Sequence, residues 1–223
     1  MSTSRRRAAG DGLFIVGLIG RAGSGKTTVA RALAKDGAHV IDADRAGHEV
    51  TDRDPAVRAG LIAEYGPAVY RADGTLDRAQ VAARVFRDPD ARARLDRMVH
   101  PRIVEKIRAD LERLRQQGFR GVVVVEAALM LRWGFERECD AVIAVVAPED
   151  EQVARLARGR GWSEAEARAR LAAQDSSEEL SAAADVTLDN RESAEALARA
   201  AHDALARLRA EAALPRAGRE GTC

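Results

Sequence analysis

A chain of 223 residues, 46% hydrophobic and 32% charged, is long enough to bury a substantial core and has the composition of an ordinary globular enzyme. Its 36 basic and 35 acidic residues leave a formal net charge of +1, so the overall balance argues against nucleic-acid or membrane partners and any basic site has to be local. Two cysteines, Cys139 and Cys223, make neither a disulfide framework nor a metal spacing, and a reducing cytoplasm is the expected setting.

Residues 1–11 carry arginines with no apolar run behind them, so no secretory signal is expected there; with residues 213–223 they read as disordered tails. Leu13–Ile19 (LFIVGLI) is short, apolar and β-branched, the pattern of a buried parallel strand. Residues 20–27, GRAGSGKT, then fit G-x-x-x-x-G-K-[ST] at every fixed position. A chain that wraps a polyphosphate needs places where no Cβ blocks close approach, and Gly20, Gly23 and Gly25 supply them. Ser24 and Thr28 complete the stretch expected to bind ATP, with Lys26 reaching the β- and γ-phosphates and the Thr27 hydroxyl on a Mg²⁺ that bridges them. The only other lysines are Lys35 and Lys106, so a lysine here points to a site that a planar guanidinium does not suit. The following TTVARALAKDG predicts a helix whose N-terminus adds partial positive charge to the loop.

Next, AHVIDAD predicts a short strand at residues 39–41 with Asp42 and Asp44 at its carboxyl end, the edge where ligands sit in open α/β sheets. Residues 54–117 read as helix almost throughout. Within them Pro101 fits a first helical turn, and Ile103, Ile107, Leu111 and Leu114 form one face. That block is too long for a crossover and predicts an inserted acceptor-binding subdomain. Gly121–Glu126 (GVVVVE) and residues 140–148 (DAVIAVVAP) predict two further buried strands. An arginine-dense helix-turn-helix follows, then a last short strand ending at Asp189 and Asn190, and a closing amphipathic helix. The fold class is therefore α/β: a phosphate-loop core (12–50, 119–154, 184–212) carrying a helical insertion (51–118) and a helical lid (155–183).

A phosphate loop alone serves kinases, switch GTPases, motors and transporters. No [NT]-K-x-D guanine reader accompanies any of the three lysines, and the size leaves no room for a motor's transmission elements. A small kinase remains, which needs a carboxylate near the acceptor hydroxyl, cations for the acceptor and lid arginines over the phosphates. Asp44, the segment from His100 to Lys106, and Arg155, Arg158 and Arg160 are the candidates, with Arg160 favoured because it sits between two glycines. Each has a plainer reading: Asp44 as a helix cap, His100-Pro101 as a helix start, the arginines as a solvated face, and Glu126 as either a magnesium-side acid or a strand end.

The loop, VIDAD followed by His48, the block ADGTLDRAQVAARVFRDPDARARLDRMVHPRI, and ADVTLDN together resemble the dephospho-CoA kinase family, in order from about residue 13 to 208. The resemblance implies transfer of the γ-phosphoryl of ATP to the 3′-hydroxyl of dephospho-CoA. It also implies a role for Asp44 in orienting or deprotonating that hydroxyl, acceptor binding by His100 and Arg102, and Asn190 near the adenine of ATP. Three departures stand out: Arg21 and Ala22 in the loop, EAALMLR after the third strand, and Gly159 where the family's lid has an arginine. The alternatives are a kinase of a nucleoside monophosphate or shikimate type, or an ATP-binding regulatory module.

Overall fold

The structure, a computed structural model, describes residues 12–85 and 88–213, with the backbone alone described at Arg160. The two tails read from the sequence therefore lie outside the described residues, apart from Ala213, which ends a helix. Five parallel strands form one sheet: β1 (Leu13–Ile19), β2 (His39–Asp42), β3 (Gly121–Glu126), β4 (Ala141–Val146) and β5 (Val186–Asp189), in the order β2-β3-β1-β4-β5. Around it run α1 (Lys26–Lys35), α2 (Ala43–Arg53), α3 (Pro55–Tyr65), α4 (Arg78–Val85), α5 (Pro89–Gln116), α6 (Met130–Trp133), α7 (Glu149–Arg160), α8 (Glu164–Ala172), α9 (Ser177–Ala183) and α10 (Ala194–Ala213).

The near-continuous apolar runs of β1 and β3 are explained by burial on both faces. Ile15, Ile19, Val123 and Val125 face one core, while Val16, Leu18, Val122 and Val124 face the other, the period-2 alternation that a strand imposes. The second core is closed by α1 and α10 through Val29, Leu33, Leu197 and Ala201. The first runs without a break from the sheet into the insertion, through Val50, Val57, Leu61, Ile103 and Ile107. The inserted helices thus share the sheet's core. A third, small cluster of Val153, Leu156, Ala167 and Leu171 belongs to α7 and α8, and Ala22 of the phosphate loop packs against it. Leu180 of α9, inside the segment read as lid, lies instead in the first core.

One expectation about the insertion changes. Residues 89–116 form one helix of 28 residues, about 42 Å long, with Pro101 in its interior, so the helix start read at His100-Pro101 is not there. Asp88 caps the true start, accepting from the Asp90 and Ala91 amides, and Pro89 occupies the first turn. An interior proline costs about 3 kcal/mol. Val99, Ile103, Val104 and Ile107 are buried around it, at roughly 1.5–3 kcal/mol per side chain, which is enough to carry the helix through.

Gly17 lies where β1 must pass close to its cover. A Cβ there would sit 2.8 Å from the Met130 Sδ and 3.1 Å from the Cys139 Sγ. We expect Gly17→Ala to lower stability by about 1–3 kcal/mol through overpacking, read as a shift of the urea midpoint at unchanged slope. An unshifted midpoint would show that this contact has room to give.

Candidate active site

The phosphate loop links β1 to α1 and is pinned from beneath. Gly25 has φ +108°, and a Cβ on it would lie 2.3 Å from the Asn190 Nδ2, which donates to the Ser24 carbonyl at 2.7 Å. Asn190 is itself buried just beyond β5, so the last strand holds the loop's turn in place. Gly20 approaches as closely on the other side, where a Cβ would meet the Val145 carbonyl at 2.5 Å. Lys26 is buried and its Nζ donates to the Gly20 carbonyl at 2.9 Å and the Arg21 carbonyl at 3.2 Å, curling the loop around its own cation. The Ser24 hydroxyl is buried with no hydrogen-bond partner among the described residues.

A cleft of about 1200 Å³ opens from this loop. Gly23, Gly25, Lys26, Thr27 and Thr28 line one end, Asp44 and Glu126 its side, Ala82, Val85, Pro89 and Arg92 the insertion's wall, and Arg155, Trp162 and Arg170 the wall from α7 and α8. The Thr27 hydroxyl donates to Glu126 Oε1 at 2.8 Å. Burial raises the Glu126 carboxyl above its ordinary value; the Thr27 hydrogen bond and Lys26 pull it back, while Asp42 and Asp44 push it up further. A hydroxyl and a carboxylate beside a polyphosphate cradle, in a field of unneutralised acidic charge, suit Mg²⁺, which binds through few protein oxygens and keeps its waters. Among the described residues no group of three or more His, Cys, Asp or Glu forms a protein-only metal cage.

Asp44 stands in the first turn of α2 and lines the cleft, and the cap of that helix is Asp42, whose carboxylate accepts from the Arg45 amide at 3.1 Å. The capping role considered for Asp44 thus belongs to its neighbour. His100 and Arg102 do not line the cleft. His100 is packed against Trp133, ring centroids 5.5 Å apart, with its Nε2 3.3 Å from Asp96 Oδ1. Burial, opposed by Asp96 and reinforced by Arg132 and Arg92, holds its imidazole below the ordinary value. It connects towards the cleft through Asp96 and Arg92, stacked at four-residue intervals. Arg102 is paired with Glu105 at 2.7 Å and lies 4.0 Å from Asp54, away from the cleft.

In the segment read as lid, Arg160 ends α7 and its side chain lies outside the described residues; Arg158 is exposed and off the cleft. Arg155 reaches the loop, donating to the Gly23 carbonyl and to the Asn190 carbonyl, each at 3.2 Å. Gln174, absent from the sequence reading, accepts from the Ala22 amide at 2.8 Å. Arg132 donates to the Ala173 carbonyl at 2.7 Å and pairs with Asp175, and Arg92 reaches the same carbonyl at 3.2 Å. Nothing in spacing distinguishes these residues from other surface arginines and glutamines. Arg21, the loop's odd charge, pairs with Glu149 at 3.0 Å.

The dephospho-CoA kinase family model matches residues 14–196. The chain belongs to that family. It is 40% identical to a dephospho-CoA kinase of Symbiobacterium thermophilum over 177 residues, covering 79% of this chain and 74% of that one. It is also 40% identical to a dephospho-CoA kinase of Anaeromyxobacter dehalogenans over 195 residues, covering 87% and 92%. Among solved structures, TT1252 from Thermus thermophilus is similar at 33% identity with a TM-score of 0.73, covering 87% of this chain and 97% of that one. A dephospho-CoA kinase from Campylobacter jejuni shares the fold at 22% identity and a TM-score of 0.65, covering 88% and 97%.

The raised Glu126 carboxyl sets a pH dependence. Its anionic form, which a cation needs, is lost on acidification at higher pH than that of an exposed glutamate. We expect the Mg²⁺-dependent part of ATP affinity, measured by calorimetry, to weaken as pH falls through that window, and Glu126→Gln to flatten the profile. A profile in Glu126→Gln identical to wild type would remove Glu126 from the metal's surroundings.

Proposed function

We infer that this protein transfers the γ-phosphoryl group of ATP to the ribose 3′-hydroxyl of dephospho-CoA, giving coenzyme A and ADP. The supporting observation is that a single cleft joins the Gly23–Thr28 face of the phosphate loop to a free carboxylate, Asp44, and to the wall of the helical insertion. ATP phosphates fit the loop end and the acceptor the insertion end, so that the hydroxyl and the γ-phosphorus meet between Lys26 and Asp44.

In this reading the loop amides and Lys26 hold the β- and γ-phosphates and stabilise the charge that moves onto the β–γ bridging oxygen as that bond breaks. Asp44 orients the 3′-hydroxyl and receives its proton as the new O–P bond forms. Thr27 and Glu126 would hold Mg²⁺, which supplies charge neutralisation between the phosphates when bound. Asn190 serves by keeping the loop's shape, since its amide is committed to the Ser24 carbonyl; a contact with adenine would come from its vicinity. His100 acts on the acceptor wall through Asp96 and Arg92. No helix among the described residues is long and apolar enough to cross a membrane, and the cytoplasm is the compartment we propose.

ADP release measured against a panel of acceptors tests the assignment. Turnover should appear with dephospho-CoA and stay at background with nucleoside monophosphates and shikimate; turnover with another acceptor alone, or nucleotide binding without any turnover, would overturn it. Lys26→Ala should abolish turnover with the fold intact. Asp44→Asn should reduce kcat by on the order of 10² with little change in thermal stability, since Asp42 caps the helix. Retained kcat in Asp44→Asn would contradict its role at the acceptor hydroxyl.

A further inference from the structure

Four described arginines line the cleft: Arg31, Arg92, Arg155 and Arg170. Two are already committed. Arg155 is paired with Glu151 at 2.7 Å and fastened to the Gly23 and Asn190 carbonyls, so it braces the loop's underside. Arg92 serves the Ala173 carbonyl and Asp96. Arg31 stands on α1, one turn beyond Thr27, and is exposed, with no ring or loop group to orient its guanidinium among the described contacts.

Arg170 is different. It projects from α8, and its guanidinium carbon lies 4.1 Å from the centroid of the Trp162 ring. No carboxylate lies within ion-pair distance of it among the described contacts, although Glu166 one turn away senses its charge. A guanidinium stacked on an indole is held in place by its face while the N–H edges stay unspent. Trp162 is itself seated on the small apolar cluster of α7 and α8, which also takes in Ala22 of the phosphate loop. The platform carrying Arg170 is thereby registered against the loop.

We propose that Arg170, presented by Trp162 on the wall of the cleft that Lys26 also lines, is a catalytic residue that engages the transferring phosphoryl group. The proposal rests on the kinase assignment above and names the cation that α7 and α8 bring to it. During transfer, negative charge spreads over the phosphoryl's equatorial oxygens, and a fork with free N–H groups meets two of them at once. The proton and leaving group are unaffected: ADP departs and the acceptor hydroxyl's proton goes to Asp44. The interaction is made in the transition state, so it falls on kcat rather than on ATP binding.

The test uses the full chain with Mg²⁺. Affinity for ADP alone and for ADP with aluminium fluoride, a mimic of the planar phosphoryl, is titrated in the presence of dephospho-CoA. Arg170→Ala should lose on the order of 10² in affinity for the aluminium fluoride complex, change ADP affinity less than about 3-fold, and lose kcat in parallel. Arg170→Lys, which keeps the charge and loses the fork, should recover part of both. Trp162→Leu, which keeps the apolar cluster and removes the ring face, should cost about 10-fold in kcat, and Trp162→Phe less. Wild-type kcat and fluoride-complex affinity in Arg170→Ala would overturn the proposal, as would equal losses for ADP and the fluoride complex, which would mark a ground-state or structural contact. A wild-type chain with no dephospho-CoA-dependent turnover would refute the kinase assignment instead, so the two failures are distinguishable.

Discussion

Gly25 can carry no side chain, because the loop there turns through a positive φ directly over the Asn190 amide. That contact joins the ends of two strands that are not neighbours in the sheet: the loop follows β1 in the centre, and Asn190 follows β5 at the edge. It fixes where the chain's N–H groups converge. The rest of the site takes its coordinates from this point, since Lys26 and Thr27 are the first residues of the helix that the loop launches. A preorganised cradle of this sort binds charge without reorganising at the moment of reaction, which is where electrostatic catalysis gains most.

The carboxylate side follows from strand order. β3 lies between β1 and β2, with Glu126 level with Leu18 on one side and with Asp42 on the other. The end of β3 therefore delivers Glu126 to the Thr27 hydroxyl, and α2, beginning directly after β2, places Asp44 at the cleft. The mutual repulsion of Glu126, Asp42 and Asp44 is part of what raises the Glu126 carboxyl. The surplus negative charge of this cluster is what the cation proposed at the phosphates would neutralise.

The strands and the loop were legible because each is specified locally. The apolar runs of β1 and β3 have the bounds read from sequence, and the loop's residues are dictated by close backbone approach. The insertion's helices were legible in kind but not in extent: Pro101 reads as a start signal, and only the buried side chains on both sides of it show why the helix passes through. That Asp42, and not Asp44, caps α2 became visible only in the turn geometry. The groups on α7, α8 and their return segment were the least legible. In a chain rich in arginine, whether Arg155, Arg158, Arg160 or Arg170 matters depends on which helix face meets the loop, and Gln174 becomes meaningful only once its carbonyl is seen on the Ala22 amide. His100 and Arg102, two positions apart in the same signature, are separated by the helix turn into a half-buried group at Trp133 and a surface ion pair.

The loop that Asn190 and Lys26 hold has the shape and charge to take a polyphosphate, and we propose that it carries nucleotide recognition. Calorimetric titration of Mg²⁺-ATP, Mg²⁺-ADP and AMP into the protein measures this most directly. ATP and ADP should bind within about an order of magnitude of each other and AMP at least about 10²-fold more weakly, because it lacks the phosphates that the loop amides, Lys26 and Thr27 are proposed to hold. AMP binding as tightly as ATP would contradict it.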